Sequence, residues 1–425
     1  MTIADREDVA APNAGTRRLP TCRFCSAPLR DTFVDLGMSP LCESFLTNDQ
    51  LNQMEPFYPL HVRVCRSCFL VQLEAYVSGE EIFTEYAYFS SFSDSWVEHA
   101  RRYTDLAIDT LGLTSSSFVA ELASNDGYLL QHFVQRGVPV LGIEPALNVA
   151  AVAEQKGVRT ATEFFGETSA KKFARAHGRA DLIIGNNVLA QVPDLNDFVS
   201  GIPLFLAWNG TVTLEFPHLA RLIEGNQFDT IYHEHYSYFS LYTLERIFAR
   251  HRLRVYDVEE LPTHGGSLRI WGCHMADPRA ERPRLRELRE RELADGVDWL
   301  QYYSDFSERV IRTKHKLLDF LIAARAEGKS IAGYGAPGKG NTLLNYCGIR
   351  TDFLDYTVDR NPYKHSRFLP GTRIPIYPPE RLAQTRPDYI LILPWNLKEE
   401  IIAQLQYARE WGARFVVPIP QVEVH

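Results

Sequence analysis

Short apolar runs alternate with amphipathic stretches in the middle of the chain, and this pattern predicts strands that are each followed by a helix. The apolar runs lie at residues 118–120, 138–144, 180–184 and 211–216, and residues 204–208 are predicted to end the helix before the last run. Strands that alternate with helices form a mostly parallel sheet with helices on both faces. We therefore expect this region to be an α/β domain.

The pattern changes after this region and later returns. Residues 253–258 and 267–271 are predicted to form an antiparallel hairpin at the end of the sheet. A run dense in Arg and Glu at 278–295, with the segment that follows it to residue 327, is predicted to form solvated helical connectors. A second α/β unit is then predicted, with strands at residues 330–334, 353–358, 389–393 and 414–417.

The first of these strands ends in an acidic residue and a turn of small residues, which together indicate a cofactor. Glu121 closes the strand, and Ala123, Ser124, Asn125, Asp126 and Gly127 form the turn into the helix. Ligands of such sheets lie across the carboxyl ends of the strands. The turn has fewer glycines than a dinucleotide-binding loop, and a carboxylate suits the ammonium group of S-adenosylmethionine (SAM).

Two further strand ends support SAM as the cofactor. Glu144 and Pro145 end the second strand, 23 residues after Glu121, where a carboxylate can accept hydrogen bonds from both ribose hydroxyls. Asn186 and Asn187 follow the next strand and can face the cofactor. Glu144 alone could equally be a surface strand end. In this order and at this spacing, the residues predict a class I, Rossmann-like methyltransferase core.

Length and composition limit the remaining possibilities. A chain of 425 residues is expected to form two or three domains. The net charge of −8 disfavours nucleic acid as a partner, and no apolar run of about 18 residues predicts a membrane span. Residues 1–18 are polar and are expected to be a disordered tail without the apolar core of a signal peptide, which favours a cytoplasmic protein.

Four cysteines form the strongest metal signal in the sequence. Cys22 and Cys25 make one C-x-x-C knuckle, and Cys65 and Cys68 make another, with 39 residues between them. Two such pairs complete a closed, tetrahedral site of thiolates that suits structural zinc. Four buried cysteines or a redox pair are the alternatives, although they do not account for the repeated spacing.

A cluster of acid–base groups marks the candidate catalytic site. Tyr232, His233, Glu234 and His235 follow one another, and histidine can take a proton from a carbon acid near neutral pH. An H-x-H metal pair and plain structural histidines remain alternatives. His264 is a further candidate for contact with a phosphate or a sugar.

Two other segments indicate how a substrate is held. Lys339 lies in the glycine-rich turn 335–340, before a helix predicted at 341–346, and this position suits an anion such as the diphosphate of a nucleotide-linked substrate. A structural turn with a surface lysine is the alternative. The aromatic cluster 86–92 either packs between domains or places tyrosine hydroxyls over the SAM pocket as a lid.

Taken together, these motifs resemble those of the sugar C-methyltransferases that act on thymidine-diphosphate-linked keto-deoxysugars made for antibiotics and related glycosides. The resemblance covers about residues 20–420 and rests on the paired C-x-x-C knuckles, Ala123-Ser-Asn-Asp-Gly127, Gly142-Ile-Glu-Pro145, Asn186-Asn-Val-Leu-Ala190, Tyr232-His-Glu-His235, Thr263-His-Gly-Gly-Ser-Leu-Arg269, Tyr334-Gly-Ala336 and Val358-Asp-Arg-Asn361.

The resemblance implies a zinc-binding module (19–78), a SAM-dependent methyltransferase domain (79–280), a helical connector (281–328) and a C-terminal α/β domain (329–425) that helps hold the nucleotide sugar. It implies that His235 is the general base and that Tyr232, Glu234 and Tyr86 lie near the reacting sugar. It places candidate substrate contacts at Gln191, His264, Arg269, Tyr334, Lys339, Asn341 and Arg360. Gln191 departs from the family pattern, which often has histidine there.

We therefore expect a cytoplasmic enzyme, a monomer or small homo-oligomer, that deprotonates a carbon next to the ketone of a nucleotide-linked deoxysugar and methylates it. SAM and structural Zn²⁺ are the expected cofactors, and neither nucleic acid nor membrane is an expected partner. A SAM-dependent O- or N-methyltransferase acting on a small natural product is the main alternative. A scaffold that binds SAM or a nucleotide sugar without catalysis is the second.

Overall fold

Three β-sheets organise the protein, and they follow the three regions that the sequence separates. The structure, a computed structural model, describes residues 19–79 and 89–425. The strands are β1 (Asp31–Ser39), β2 (Tyr58–Val64), β3 (Val71–Leu73), β4 (Val119–Leu122), β5 (Val140–Ile143), β6 (Thr160–Ala161), β7 (Ala180–Asn186), β8 (Leu206–Pro217), β9 (Ser237–Tyr238), β10 (Leu253–Leu261), β11 (Ser267–His274), β12 (Ile331–Tyr334), β13 (Thr357–Val358), β14 (Ile376–Tyr377), β15 (Tyr389–Ile392), β16 (Arg414–Val417) and β17 (Glu423–Val424).

Helices connect these strands along the described parts of the chain. They are α1 (Asp94–Leu111), α2 (Leu130–Gln135), α3 (Leu147–Gln155), α4 (Glu167–His177), α5 (Leu195–Phe205), α6 (Leu219–Glu224), α7 (Leu241–Arg250), α8 (Pro283–Asp295), α9 (Gln301–Ser304), α10 (Phe306–Ala326), α11 (Gly338–Cys347), α12 (Arg381–Thr385) and α13 (Lys398–Gln404). Within the described ranges, no helix is long and apolar enough to cross a membrane.

The central sheet has seven strands in the order β6-β5-β4-β7-β8-β11-β10. The first five strands in this order are parallel, whereas β11 is antiparallel to both of its neighbours. All four residues of β4 are buried, as expected for a parallel strand that is covered on both faces of the sheet. The predicted class I core and its closing antiparallel hairpin are confirmed.

The C-terminal sheet has the order β14-β13-β12-β15-β16-β17, and only β17 is antiparallel to its neighbour. This order is the doubly wound arrangement in which the chain reverses direction beside the first strand, here β12. A ligand crevice is expected at the carboxyl end of such a strand. The predicted C-terminal Rossmann-like unit is therefore confirmed.

The N-terminal sheet combines three strands of the zinc module with one strand from further along the chain. Its order is β1-β2-β3-β9, and all neighbouring strands are antiparallel. The fourth strand, β9, comes from the central region and follows the Tyr232–His235 cluster directly. In this pairing, Gln72 lies opposite Ser237 and Val71 lies opposite Tyr238. The zinc module therefore shares its sheet with the segment that carries the candidate catalytic residues.

The predicted connectors are helical, and most of helix α8 is exposed, as expected for its charge run. Its narrow inward face buries Leu285, Leu288 and Glu292. Helix α10 packs more deeply than expected, since it buries residues at a spacing of three and four, which are Phe306, Val310, Thr313, Leu317, Leu321 and Ala324. The apolar members of this set join the core that includes the N-terminal and C-terminal sheets. A second correction is that α5 ends at Phe205, so Trp208 belongs to β8 and not to the helix.

Candidate active site

The four cysteines of the two knuckles converge on one point. Their Sγ atoms all lie within 4.8 Å of one another, and Cys22 and Cys68 are 3.5 Å apart, as are Cys25 and Cys65. Hydrogen bonds from Cys65 and Cys68 lower the pKa of Cys22, so a thiolate forms readily in the cluster. A tetrahedral zinc ion with Zn–S bonds of about 2.3 Å needs sulfur atoms at roughly these separations. The residues therefore fit structural zinc.

Glu121 is the clearest sign of a ligand-binding site in the central domain. Its side chain lies on β4 and is buried, and neither carboxylate oxygen has a partner among the described residues. Burial raises its pKa well above the ordinary value, and the charges of Glu144 and Asp126 add to this shift. An unpaired buried carboxylate is costly. The ammonium group of SAM is a partner of the right charge.

The turn after β4 holds an unusual backbone that brings polar groups to the same edge. Ala123, Asn125 and Gly127 all have positive φ, at 55°, 47° and 74°. The Ser124 hydroxyl and one oxygen of Asp126 are buried without a partner in the described structure. Such left-handed backbone is strained outside glycine and persists where the surroundings enforce it. This turn therefore presents unsatisfied polar atoms where the cofactor was predicted.

Glu144 and the two asparagines complete this edge. The Glu144 carboxylate accepts hydrogen bonds from the backbone N–H groups of Asn125 and Ala146, both at 2.9 Å, and Pro145 starts the loop into α3. Each oxygen keeps a further lone pair for a ribose hydroxyl. The amide groups of Asn186 and Asn187 contain buried atoms without partners in the described ranges. The predicted cofactor residues thus fit SAM.

His235 is buried and lies just before β9, the strand that pairs with β3 of the zinc module. Its Nδ1 donates to the Thr230 carbonyl at 3.2 Å, because a carbonyl can only accept, and this leaves the lone pair on Nε2. Burial lowers its pKa to about 4, with a smaller effect from the charge of Lys339. The imidazole is therefore uncharged at neutral pH and carries its lone pair on Nε2.

Tyr232 packs against this imidazole, whereas the Glu234 side chain contacts the zinc module. The rings of Tyr232 and His235 have centroids 4.2 Å apart. Glu234 accepts a hydrogen bond from the Cys42 thiol at 3.3 Å, and burial raises its pKa to about 7. His233 turns away and contacts the Pro59 carbonyl at 3.3 Å. The predicted Tyr86 lies outside the described residues.

Lys339 comes from the C-terminal domain, and its charge acts on His235. Its ammonium group donates to the Asn396 side chain at 2.7 Å and lies 4.9 Å from the centre of the Trp395 ring. Trp395 donates to buried Asp229 at 2.7 Å. Burial lowers the pKa of Lys339, and the charge of Asp229 opposes this shift. The lysine is therefore a half-buried cation held by protein groups and not an exposed surface residue.

The turn before α11 is not an open anion site in the way the sequence suggests. The Ala336 N–H donates to Asp359 at 2.7 Å. One backbone donor of the turn is thus already used by one of the protein's own carboxylates. A diphosphate would therefore meet the Lys339 ammonium group and not this amide.

The other predicted substrate residues divide into three groups. Gln191 and His264 lie close to the candidate site. Gln191 follows Ala190, whose carbonyl accepts a hydrogen bond from the Tyr236 N–H. The His264 ring packs on Trp96, with ring centroids 5.0 Å apart. Tyr334 and Arg360 lie at the carboxyl edge of the C-terminal sheet, where the Tyr334 hydroxyl donates to Gln404 and Arg360 is exposed.

Arg269 and Asn341 do not join these residues at an open surface. Arg269 is buried and forms ion pairs with Glu215 at 2.6 Å and Glu259 at 3.3 Å. Asn341 is buried and donates to the Cys42 carbonyl at 2.6 Å. Both side chains contact protein groups, and each keeps one buried polar atom without a partner in the described structure, so their substrate contacts stay a prediction.

Several residues of the site were not predicted from the sequence. Cys42 and Glu43 come from the zinc module, and Asp229 and Trp395 come from the central and C-terminal domains. No local pattern marks these residues, since their neighbours in the site are distant in sequence.

Three family models match successive parts of the chain. A zinc binding domain matches residues 22–83, a methyltransferase domain matches residues 96–258, and a C-methyltransferase C-terminal domain matches residues 262–420. Among curated relatives, C-methyltransferase NovU of Streptomyces niveus is 37% identical over 408 residues, which cover 96% of this chain and 97% of that protein.

Two of the solved structures that match each cover less than half of the chain. Magnesium protoporphyrin IX methyltransferase (ChlM) from Synechocystis PCC 6803 with bound SAM is 15% identical, with a TM-score of 0.32, over 43% of this chain and 82% of that chain. A SAM-dependent methyltransferase from Clostridium acetobutylicum is 11% identical, with a TM-score of 0.34, over 42% of this chain and 92% of that chain.

Proposed function

This chain belongs to the SAM-dependent C-methyltransferase family, and from that premise we propose that it methylates a carbon beside the ketone of a nucleotide-linked deoxysugar. The expected carrier is thymidine diphosphate, an expectation that comes from the resemblance of its motifs to the sugar C-methyltransferases. The enzyme would act in the biosynthesis of deoxysugars for natural products.

The observation that carries this proposal is the state of His235. The imidazole is buried, its Nδ1–H is used by the Thr230 carbonyl, and its pKa is lowered to about 4. A carbon acid is deprotonated only by a base that is itself unprotonated at working pH. Such a group is needed for methylation at carbon, whereas many O- and N-methylations need no strong proton removal from the substrate.

The chemistry then follows from the ketone. A carbonyl makes the adjacent C–H acidic, because the carbanion is delocalised onto oxygen as an enolate. His235 Nε2 takes the proton, and the developing negative charge on the enolate oxygen needs a donor. Tyr232, whose ring is 4.2 Å from that of His235, is the proposed donor, and Glu234 in its protonated form is a second. When bound, SAM supplies the electrophilic methyl group that the carbanion carbon takes up.

The binding of the diphosphate is assigned to charge near the base. Lys339 brings a half-buried ammonium group from the C-terminal domain, and its charge acts on both His235 and His264. A cation at this position would attract a diphosphate, and His264 and Gln191 would contact the sugar. Substrate binding would in this way use the central and C-terminal domains together.

Proton exchange tests this function separately from methyl transfer. Thymidine-diphosphate 4-keto-6-deoxysugars are incubated with the enzyme in deuterated buffer, and deuterium uptake beside the ketone is followed by mass spectrometry. His235→Gln is expected to lower the exchange rate by about 10²–10⁴-fold, the usual contribution of a general base.

His233→Gln is the matched control, since His233 lies two positions away and faces Pro59. It is expected to keep nearly the wild-type exchange rate. Near-normal exchange in His235→Gln would remove that residue from the base role. Methyl transfer to oxygen or nitrogen, with no exchange on any keto sugar, would favour the alternative methyltransferase function.

A further inference from the structure

One side chain that contacts the candidate catalytic loop lies between two of the cysteines of the zinc module. The Arg23 guanidinium donates to the Pro193 carbonyl at 3.0 Å and to the Leu73 carbonyl, and it lies 5.4 Å over the ring of Tyr236. We propose that Arg23 is a positioning residue that holds the loop of His235 against the loop of Gln191. This inference rests on the proposed function only in taking His235 as the base.

The three groups that Arg23 contacts are those that fix the backbone beside the base. Tyr236 follows His235 directly, and its N–H donates to the Ala190 carbonyl at 2.8 Å. Its own carbonyl accepts from the Leu73 N–H at 3.0 Å. Tyr236 is therefore held between the central domain on one side and strand β3 on the other. Arg23 connects both sides, because it donates to Leu73 and to the Pro193 loop.

Arg23 is itself anchored to the cysteine cluster. The backbone N–H of Arg23 donates to the Gln72 side chain at 2.9 Å, and that side chain donates to the Cys22 sulfur at 3.1 Å. Its carbonyl accepts from the Asn196 side chain at 2.9 Å. Zinc held by the four cysteines would fix the knuckle backbone, so the guanidinium projects from a rigid base. The cluster thereby serves to place the catalytic loop and does not only close a small domain.

The change to test is Arg23→Met, which keeps the length of the side chain and removes all its donors. Misplacing a catalytic group by about 1 Å can cost about 10²-fold in rate. We therefore expect proton exchange and methyl transfer to fall about 10- to 100-fold in kcat. KM for SAM and zinc content stay as in the wild type, because neither site includes the guanidinium.

The chain offers a matched control at the second knuckle. Arg246 donates to the Ser67 carbonyl at 3.2 Å and lies 5.4 Å over the ring of Tyr242. It therefore makes the same two kinds of contact, one with a backbone carbonyl of the zinc module and one with a tyrosine ring, but it reaches neither catalytic loop. Arg246→Met is expected to keep kcat within about twofold of the wild type.

A second readout does not depend on turnover. Hydrogen–deuterium exchange of the zinc-loaded full chain, followed by mass spectrometry, reports the order of peptides that cover residues 190–193 and 230–238. We expect faster exchange there in Arg23→Met and unchanged exchange in Arg246→Met. Should Arg23→Met lose zinc or fail to fold, Arg23→Lys takes its place, since one ammonium group cannot span both carbonyls and the same changes are expected in smaller degree.

Wild-type kcat together with wild-type exchange of residues 230–238 in the Arg23 variant would overturn the inference. Equal losses in Arg23→Met and Arg246→Met would do so as well, since they would mark a general effect on the zinc module. A wild-type enzyme that acts on no keto sugar would refute the proposed function, while the exchange of residues 230–238 would still decide whether Arg23 orders the loop.

Discussion

Replacing Glu121 by glutamine is expected to stabilise the ligand-free protein and to weaken SAM binding. The Glu121 carboxylate is buried with neither oxygen paired in the described structure. A buried unsatisfied polar group costs about 1–3 kcal/mol, and a charged group costs more. Glutamine fills the same space without the charge, so Glu121→Gln is expected to raise the free energy of unfolding by about 1–3 kcal/mol at pH 8.

The sign of the pH dependence follows from the raised pKa of Glu121. Burial and the charges of Glu144 and Asp126 raise it, so the folded state binds a proton that the unfolded state has already lost. The wild type therefore loses stability as the pH rises from the unfolded pKa to the folded pKa. The advantage of Glu121→Gln should be small at pH 5 and larger at pH 8.

SAM binding should change in the opposite direction. A hydrogen bond to a charged group contributes about 1.5–3 kcal/mol, which corresponds to about a 10- to 150-fold change in Kd. Calorimetric titration with SAM and thermal unfolding at pH 5 and pH 8 measure both effects. Glu154→Gln, an exposed position on α3, is the control. Unchanged SAM affinity with no gain in stability would show that Glu121 is not the partner of the cofactor.

Three further predictions concern the metal, the base and one close contact. Elemental analysis should find about one zinc per chain. The zinc content should fall in Cys65→Ser but not in Cys347→Ser, since Cys347 is a buried thiol outside the cluster. Folded, active protein without zinc would contradict the site. The acid limb of kcat/KM should lie well below about 6.5, the ordinary value for histidine, because the pKa of His235 is lowered to about 4. An alkaline limb near 7, where Glu234 loses its proton, should disappear in Glu234→Gln. Gly338→Ala should cost about 1–3 kcal/mol in thermal unfolding, because its new Cβ would lie 2.7 Å from the Cys42 sulfur; an unchanged unfolding temperature would show that this contact is not tight.

The parts of the fold that the sequence predicts are those set by local patterns. The apolar run that ends at Glu121 is strand β4, and the glycine-poor turn after it has the strained backbone of a ligand loop. The paired cysteine knuckles converge as their spacing indicates. In each case, the signal lies within a few residues or in a repeated motif, so no long-range contact was needed to recognise it.

The parts that were missed depend on contacts between distant residues. Strand β9 has two residues and pairs with β3, more than 160 positions earlier, so no periodicity marks it. Cys42 meets Glu234 across 192 positions. The burial of α10 is different, since its spacing of three and four was present in the sequence but was obscured by the surrounding charges.

The most direct test of the central claim is the position of the transferred methyl group. The wild-type enzyme is supplied with thymidine-diphosphate 4-keto-6-deoxysugars and with SAM that carries a ¹³C-labelled methyl group, and the product is examined by carbon NMR. A labelled methyl bonded to the carbon beside the ketone is the expected result. A labelled methyl bonded to oxygen or nitrogen would contradict the account, as would the absence of transfer to every keto sugar offered.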